Sequence, residues 1–93
     1  MRISEEAARS LVDIISARYG DDAPIWLFGS RVDDGKRGGD VDLFVQVESS
    51  DLMRKIDCKR ALTALLDLSV DLVVGNGEKP IHRIAKQTGV RLK

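Results

Sequence analysis

From Asp40 to Glu48 the sequence alternates without a break. Val41, Leu43, Val45 and Val47 are apolar, and Asp40, Asp42, Phe44, Gln46 and Glu48 fall between them. A period of two is the repeat of a β-strand, whose successive side chains point to opposite faces. The segment therefore predicts a strand over 40–47 that lays its valines and Leu43 on a core. The same alternation turns Asp40 and Asp42 together onto the other face.

The neighbouring segments predict what packs beside that strand. Ser4 ahead of Glu5 and Glu6 reads as a helix start, and Ala8, Leu11, Val12, Ile15 and Tyr19 recur at helical spacing until Gly20. Asp21 to Pro24 reads as a turn. Ile25-Trp26-Leu27-Phe28 is wholly apolar, the mark of a short buried strand. Residues 29–39 are rich in glycine and charge and read as a loop. Ser49, Ser50 and Asp51 are caps for a second helix over 51–67, and Val70 to Val74 forms a third strand. Pro80 opens a last helix through about Gln87, ended by Gly89.

The order helix, strand, strand, helix, strand, helix predicts a small α/β (α+β) layer fold with a mixed sheet. Ninety-three residues suffice for one core, so residues 1–93 form a single domain. The helices are expected on one face of the sheet, leaving the acidic face open. Periodicity does not give the strand order.

Composition removes several function classes. Fifteen Lys and Arg balance fifteen Asp and Glu, which argues against a generic binder of nucleic acid or acidic membrane. An aromatic content of 4% argues against a stacking platform for single strands. The single cysteine, Cys58, excludes an internal disulfide framework and a cysteine-based zinc site. No apolar run approaches the roughly 20 residues of a membrane helix. The start of the chain lacks a basic segment followed by an apolar stretch, so the expected setting is the cytoplasm.

The chemistry concentrates on three short stretches. Asp40 and Asp42 project two like charges from one strand face, and a hard cation such as Mg2+ resolves the conflict with oxygen ligands and substrate phosphates. Asp71 lies between Val70 and Leu72, on the polar face of its own strand. If the two strands are neighbours it joins Asp40 and Asp42, and three carboxylates on one surface suit metal-assisted phosphoryl transfer. Directly after the first strand, Gly29 permits close backbone approach and Ser30 offers a hydroxyl and an N–H to a phosphate. Arg31, Lys36 and Arg37 add cations for a triphosphate. No Walker-type glycine loop is present. Each stretch also has a plain reading, a solvated acidic edge or a common turn.

Phe28-Gly29-Ser30-Arg31, the basic glycine loop, Gly39-Asp40-Val41-Asp42-Leu43-Phe44-Val45 and Val70-Asp71-Leu72-Val73-Val74 together resemble the minimal nucleotidyltransferases of the DNA polymerase beta superfamily. The resemblance spans about Ile25 to Val74. It implies that Gly29 and Ser30, with Arg31, hold the phosphates of ATP. It implies that Asp40 and Asp42 ligate Mg2+ and that Asp71 assists the attacking hydroxyl or completes the metal site. Many such proteins have serine where this chain has Gly39, which removes one hydroxyl and leaves the carboxylates intact. Small stand-alone members resemble the antitoxin of a two-component system whose partner is a HEPN-domain toxin. The reaction so implied is transfer of AMP from ATP to a tyrosine of that partner.

The alternative is a non-catalytic nucleotide-binding or interaction module that neutralises a partner by contact; self-association is open under both readings. His82 reads as an exposed helix residue, Cys58 as a partly buried structural thiol, and Trp26 as a core or interface side chain. Lys79, Arg83, Lys86, Arg91 and Lys93 make the end of the sequence basic, read as a solvated helix face.

Overall fold

The computed structural model describes residues 3–29 and 40–93. Its elements run α1 (Glu5–Tyr19), β1 (Ile25–Phe28), β2 (Asp40–Gln46), α2 (Leu52–Leu66), β3 (Ser69–Gly75), α3 (Pro80–Thr88) and β4 (Val90–Arg91). The expected helices and strands are all present, and their ends fall within two residues of those read from the sequence. The local causes are visible at the helix ends. Ser4 caps α1 by accepting the Ala7 N–H at 3.0 Å, with Glu5 and Glu6 favourably placed in the first turn. Asp51 does the same for α2 through the Met53 N–H, and Asp67 ends it in the left-handed conformation at φ 52°.

The four strands lie in the order β3-β2-β1-β4. β2 and β3 are parallel and joined through α2, whereas β1 is antiparallel to both β2 and β4. The mixed sheet is therefore as expected, and its parallel pair is the βαβ unit that a helix crossover allows. β4 was not foreseen. Two residues give too short a pattern to read, and the strand is anchored by backbone bonds of Leu92 and Lys93 with Ile25.

The principal core fills the space between one sheet face and α1 and α2. Leu11 and Ile15 of α1 and Cys58 and Leu62 of α2 pack on Ile25, Leu27, Val41, Leu43, Val45, Val70 and Leu72, all 3% exposed or less. An ion pair of Arg18 with Asp57, at 2.7 Å, ties α1 to α2 on the surface. Its aspartate is well exposed, so the pair contributes a few tenths of a kcal/mol, up to about 1.

The placement of α3 departs from the expectation that every helix would share one face. Trp26, Phe28, Phe44 and Val73 form a second apolar cluster on the opposite, acid-bearing face, and Ala85 of α3 closes it. Four apolar side chains there could not be left to water. A fully buried Phe44 is worth roughly 1.5–3 kcal/mol in transfer alone, which favours a helix over that part of the sheet. Among the described residues no helix is long and apolar enough to cross a membrane.

Candidate active site

The sheet register decides which carboxylates meet. In the parallel ladder Asp42 stands directly opposite Asp71, and on the other side it stands opposite Phe28. Residues opposite one another in a ladder share a face, about 5 Å apart. Asp42 and Asp71 thus lie side by side on the face away from the principal core, as the sequence led one to expect. Asp71 is exposed and Asp42 half-buried, so their repulsion is nearer the ~1 kcal/mol of water than the several kcal/mol of an interior. Asp40 begins the same strand two residues earlier, with its backbone opposite Ser69. Its side chain lies outside the described atoms, as do Ser30 and Arg31 altogether.

Gly29 completes the described part of the site. It follows β1 with φ +77°, a conformation that side-chain-bearing residues rarely adopt. A Cβ built there would lie 2.9 Å from Asp42 Cγ and would overlap Asp42 Oδ2. The Asp42 carboxylate therefore rests against the bare backbone of the turn that begins the glycine-rich segment. Among the described residues no three His, Cys, Asp or Glu converge as a metal cluster. The donor set nonetheless suits a hard divalent cation. Two carboxylates are in register, a third is carried by Asp40, and the Asp42 carboxylate fits where it does only because residue 29 lacks a side chain.

Half-buried Val73 and α3 border this acidic end of the sheet. α3 is fixed by His82, whose environment is not the exposed one expected from the sequence. The imidazole is 3% exposed, stacks on Phe44 at 4.7 Å between centroids, and lies over Gly75, where a Cβ would stand 2.6 Å from Nε2. Its Nδ1 accepts the N–H groups of Gly77 (3.1 Å) and Lys79 (3.3 Å), so the ring is neutral with its proton on Nε2. Burial, with the nearby Lys79 charge, lowers its pKa below the ordinary 6.5. The signal that could have found this was the set of Trp26, Phe28, Phe44 and Val73 on one face, which required a cover. His82 is a structural ring and not a solvated one. Cys58 is fully buried, and burial pushes its thiol pKa up to about 11, which makes it inert.

Two surface hollows among the described residues lie elsewhere. One of about 250 Å³ lies beside Val12 and Leu92, and another of about 550 Å³ lies along Ile56 and Thr63 of α2. Neither is lined by a carboxylate pair. The acidic end of the sheet remains the better site, because its residues converge in register.

Comparison with known proteins gives the family. The family described as polymerase beta, nucleotidyltransferase matches residues 12–92, which include all three strand aspartates. The chain belongs to this nucleotidyltransferase family. A structure described as that of a minimal nucleotidyltransferase is 30% identical, with 91% of this chain and 89% of that one covered and a TM-score of 0.68. The fold is also that of a chain in the toxin-antitoxin MntA-HepT structure, at 18% identity and a TM-score of 0.76. That match covers 97% of this chain and 72% of the other. A third match is to a structure of a tri-AMPylated HEPN toxin of Shewanella oneidensis in complex with an MNT antitoxin. It has 19% identity, 98% and 72% coverage and a TM-score of 0.77. Among curated proteins, none matches the sequence.

Proposed function

We propose that this member of the family is a Mg2+-dependent adenylyltransferase whose acceptor is a tyrosine hydroxyl of a HEPN-domain protein, and that it serves as the antitoxin of that protein. The observation that carries the reading is the register of Asp42 opposite Asp71, beside a glycine that leaves room for the Asp42 carboxylate. The likeness to MNT chains seen with HEPN toxins, one of them AMPylated, supports the choice of acceptor. An ATP substrate is consistent with a cytoplasmic setting.

In this reading Asp40 and Asp42 would hold Mg2+, with Asp71 completing the set. Mg2+ supplies positive charge to the triphosphate and to the departing pyrophosphate. Gly29, Ser30 and Arg31 would be the residues that meet the phosphates, through backbone N–H groups, a hydroxyl and a cation. Asp71 takes the proton of the acceptor hydroxyl as its oxygen bonds to the α-phosphorus. The bond from that phosphorus to the bridging oxygen breaks, and the electron pair leaves with pyrophosphate. The acceptor is taken to be another protein, in keeping with the likeness to MNT chains seen in complex with HEPN toxins.

The test is incubation with [α-32P]ATP, with and without Mg2+ and a purified HEPN-domain protein of the same genome. Label is expected on a tyrosine of the HEPN-domain protein, only with Mg2+ and this chain both present. Binding of that protein without any label would establish the non-catalytic reading in its place.

A further inference from the structure

Helix α3 has two unlike flanks. Lys79, Arg83 and Lys86 recur at i, i+4 and i+7 and so lie along one flank, whereas Ile81, Ile84 and Thr88 recur along the other. The basic flank is turned toward β1 and β4, because Lys86 Nζ lies 5.5 Å from the centroid of the Trp26 ring. Arg91 of β4 reaches the same ring, with Cζ at 5.4 Å. Trp26 in turn stacks on Phe44, and Phe44 on His82. Two of the cations are thus held against a buried aromatic ladder instead of waving in solvent.

All four cations are exposed, and none of them makes an ion pair among the described residues. Lys93 is the exception in this part of the sequence, since it bonds Ser16 at 2.8 Å and lies 3.9 Å from Asp21. The overall neutrality of the chain conceals a segregation. Residues 79–93 hold five of the fifteen Lys and Arg and none of the fifteen Asp and Glu. The rest of the chain is correspondingly acidic. Like charges at i, i+4 weaken a helix, and two cations against one ring repel. Among the described residues this arrangement has a cost and no acidic partner.

We propose that Lys79, Arg83, Lys86 and Arg91 form a docking surface for an acidic face of the acceptor protein. The assignment rests on the reading that the acceptor belongs to another protein. From Lys79 to Lys86 the flank is only about 10 Å long, the reach of two helical turns bearing carboxylates. A nucleic-acid strand would extend past it onto the acidic remainder of the molecule, within a Debye length of about 8–10 Å. It would also find no open ring to stack on, since Trp26 is 7% exposed. The position suits the reaction. Phe44, the middle ring of the ladder, lies two residues along β2 from Asp42, so a protein gripped at this flank is held within a few residues' reach of the acids.

The experiment measures binding of the purified HEPN-domain protein by calorimetry without ATP, at 50 and 300 mM NaCl. It compares wild type, the double variant Arg83→Glu/Lys86→Glu, and the control Lys59→Glu/Arg60→Glu on α2, each checked for unchanged melting. The α3 variant is expected to bind at least 10-fold more weakly, the control within about 3-fold, and wild-type affinity to fall with salt. In transfer assays the α3 variant should raise KM for the acceptor and keep kcat. Equal affinity of wild type and the α3 variant would overturn the docking surface alone. Loss of a 12-nucleotide RNA or of self-association from the α3 variant, with acceptor binding intact, would overturn it in favour of those occupants. No binding of the HEPN-domain protein even by wild type would overturn the proposed function, and the docking surface with it.

Discussion

Replacing Gly29 by alanine tests whether this glycine exists to admit the Asp42 carboxylate. The substitution acts in two ways that can be separated. At φ +77° an L side chain costs about 1–2 kcal/mol of backbone strain. Independently, the new Cβ would stand 2.9 Å from Asp42 Cγ and nearer still to its Oδ2, so the carboxylate must swing away. An interaction of Asp42 with a bound cation is a charge-assisted contact worth about 1.5–3 kcal/mol, so Mg-ATP affinity should fall roughly 10- to 100-fold. Urea melts give the first quantity and calorimetry with ATP, with and without Mg2+, the second. A double-mutant cycle with Asp42→Ala separates strain from collision. In that background the strain of Gly29→Ala persists, but the collision is gone. Unchanged Mg-ATP affinity of Gly29→Ala, together with additivity of the two substitutions within about 0.5 kcal/mol, would refute the argument.

Two further outcomes follow from the aromatic ladder and its buried ring. The folded state holds His82 neutral with a lowered pKa, so the unfolded chain binds the extra proton first. The stability this ring contributes is fully present above pH 6.5 and is lost as pH falls from there toward its folded value, by up to about 1.4 kcal/mol per pH unit. Urea midpoints at pH 7.5 and 5.5 should therefore diverge more in wild type than in His82→Gln, and equal divergence would remove His82 from the account. Phe44→Ala should destabilise by about 3–5 kcal/mol, since the ring is fully buried between Trp26 and His82. A loss under 1 kcal/mol in the same melts would mean that α3 does not depend on this stack.

How far the sequence could be read depended on how local each cause was. Period-two alternation identified β2 and put Asp42 and Asp71 on polar faces, because side-chain direction in a strand follows from position alone. Caps such as Ser4 and Asp51 marked helix starts for the same reason. Their meeting in register was not local, since it required β2 and β3 to be parallel neighbours. The same limit hid α3. His82, flanked by Ile81 and Arg83, carries no local mark of burial, and only the joint apolar character of Trp26, Phe28, Phe44 and Val73 demands a helix there. Gly29 was legible as a place of close approach, but that Asp42 fills the space is a property of the β1–β2 pairing.

The proposed division of labour between binding and chemistry meets its most direct test at Asp71. Asp40 and Asp42 lie on one strand and in this reading would hold a metal-bound triphosphate, since Mg2+ commonly takes only one or two protein carboxylates. Asp71 comes from the neighbouring strand and is exposed on the same face, where on this reading an acceptor would arrive. The measurement is single-turnover AMP transfer to the HEPN-domain protein beside Mg-ATP titration, for wild type and Asp71→Asn. The account predicts near wild-type Mg-ATP affinity in the variant and transfer slowed roughly 10²–10⁴-fold, the range for a lost general base. Transfer at the wild-type rate would contradict it, and so would a loss of Mg-ATP binding as large as the loss of rate.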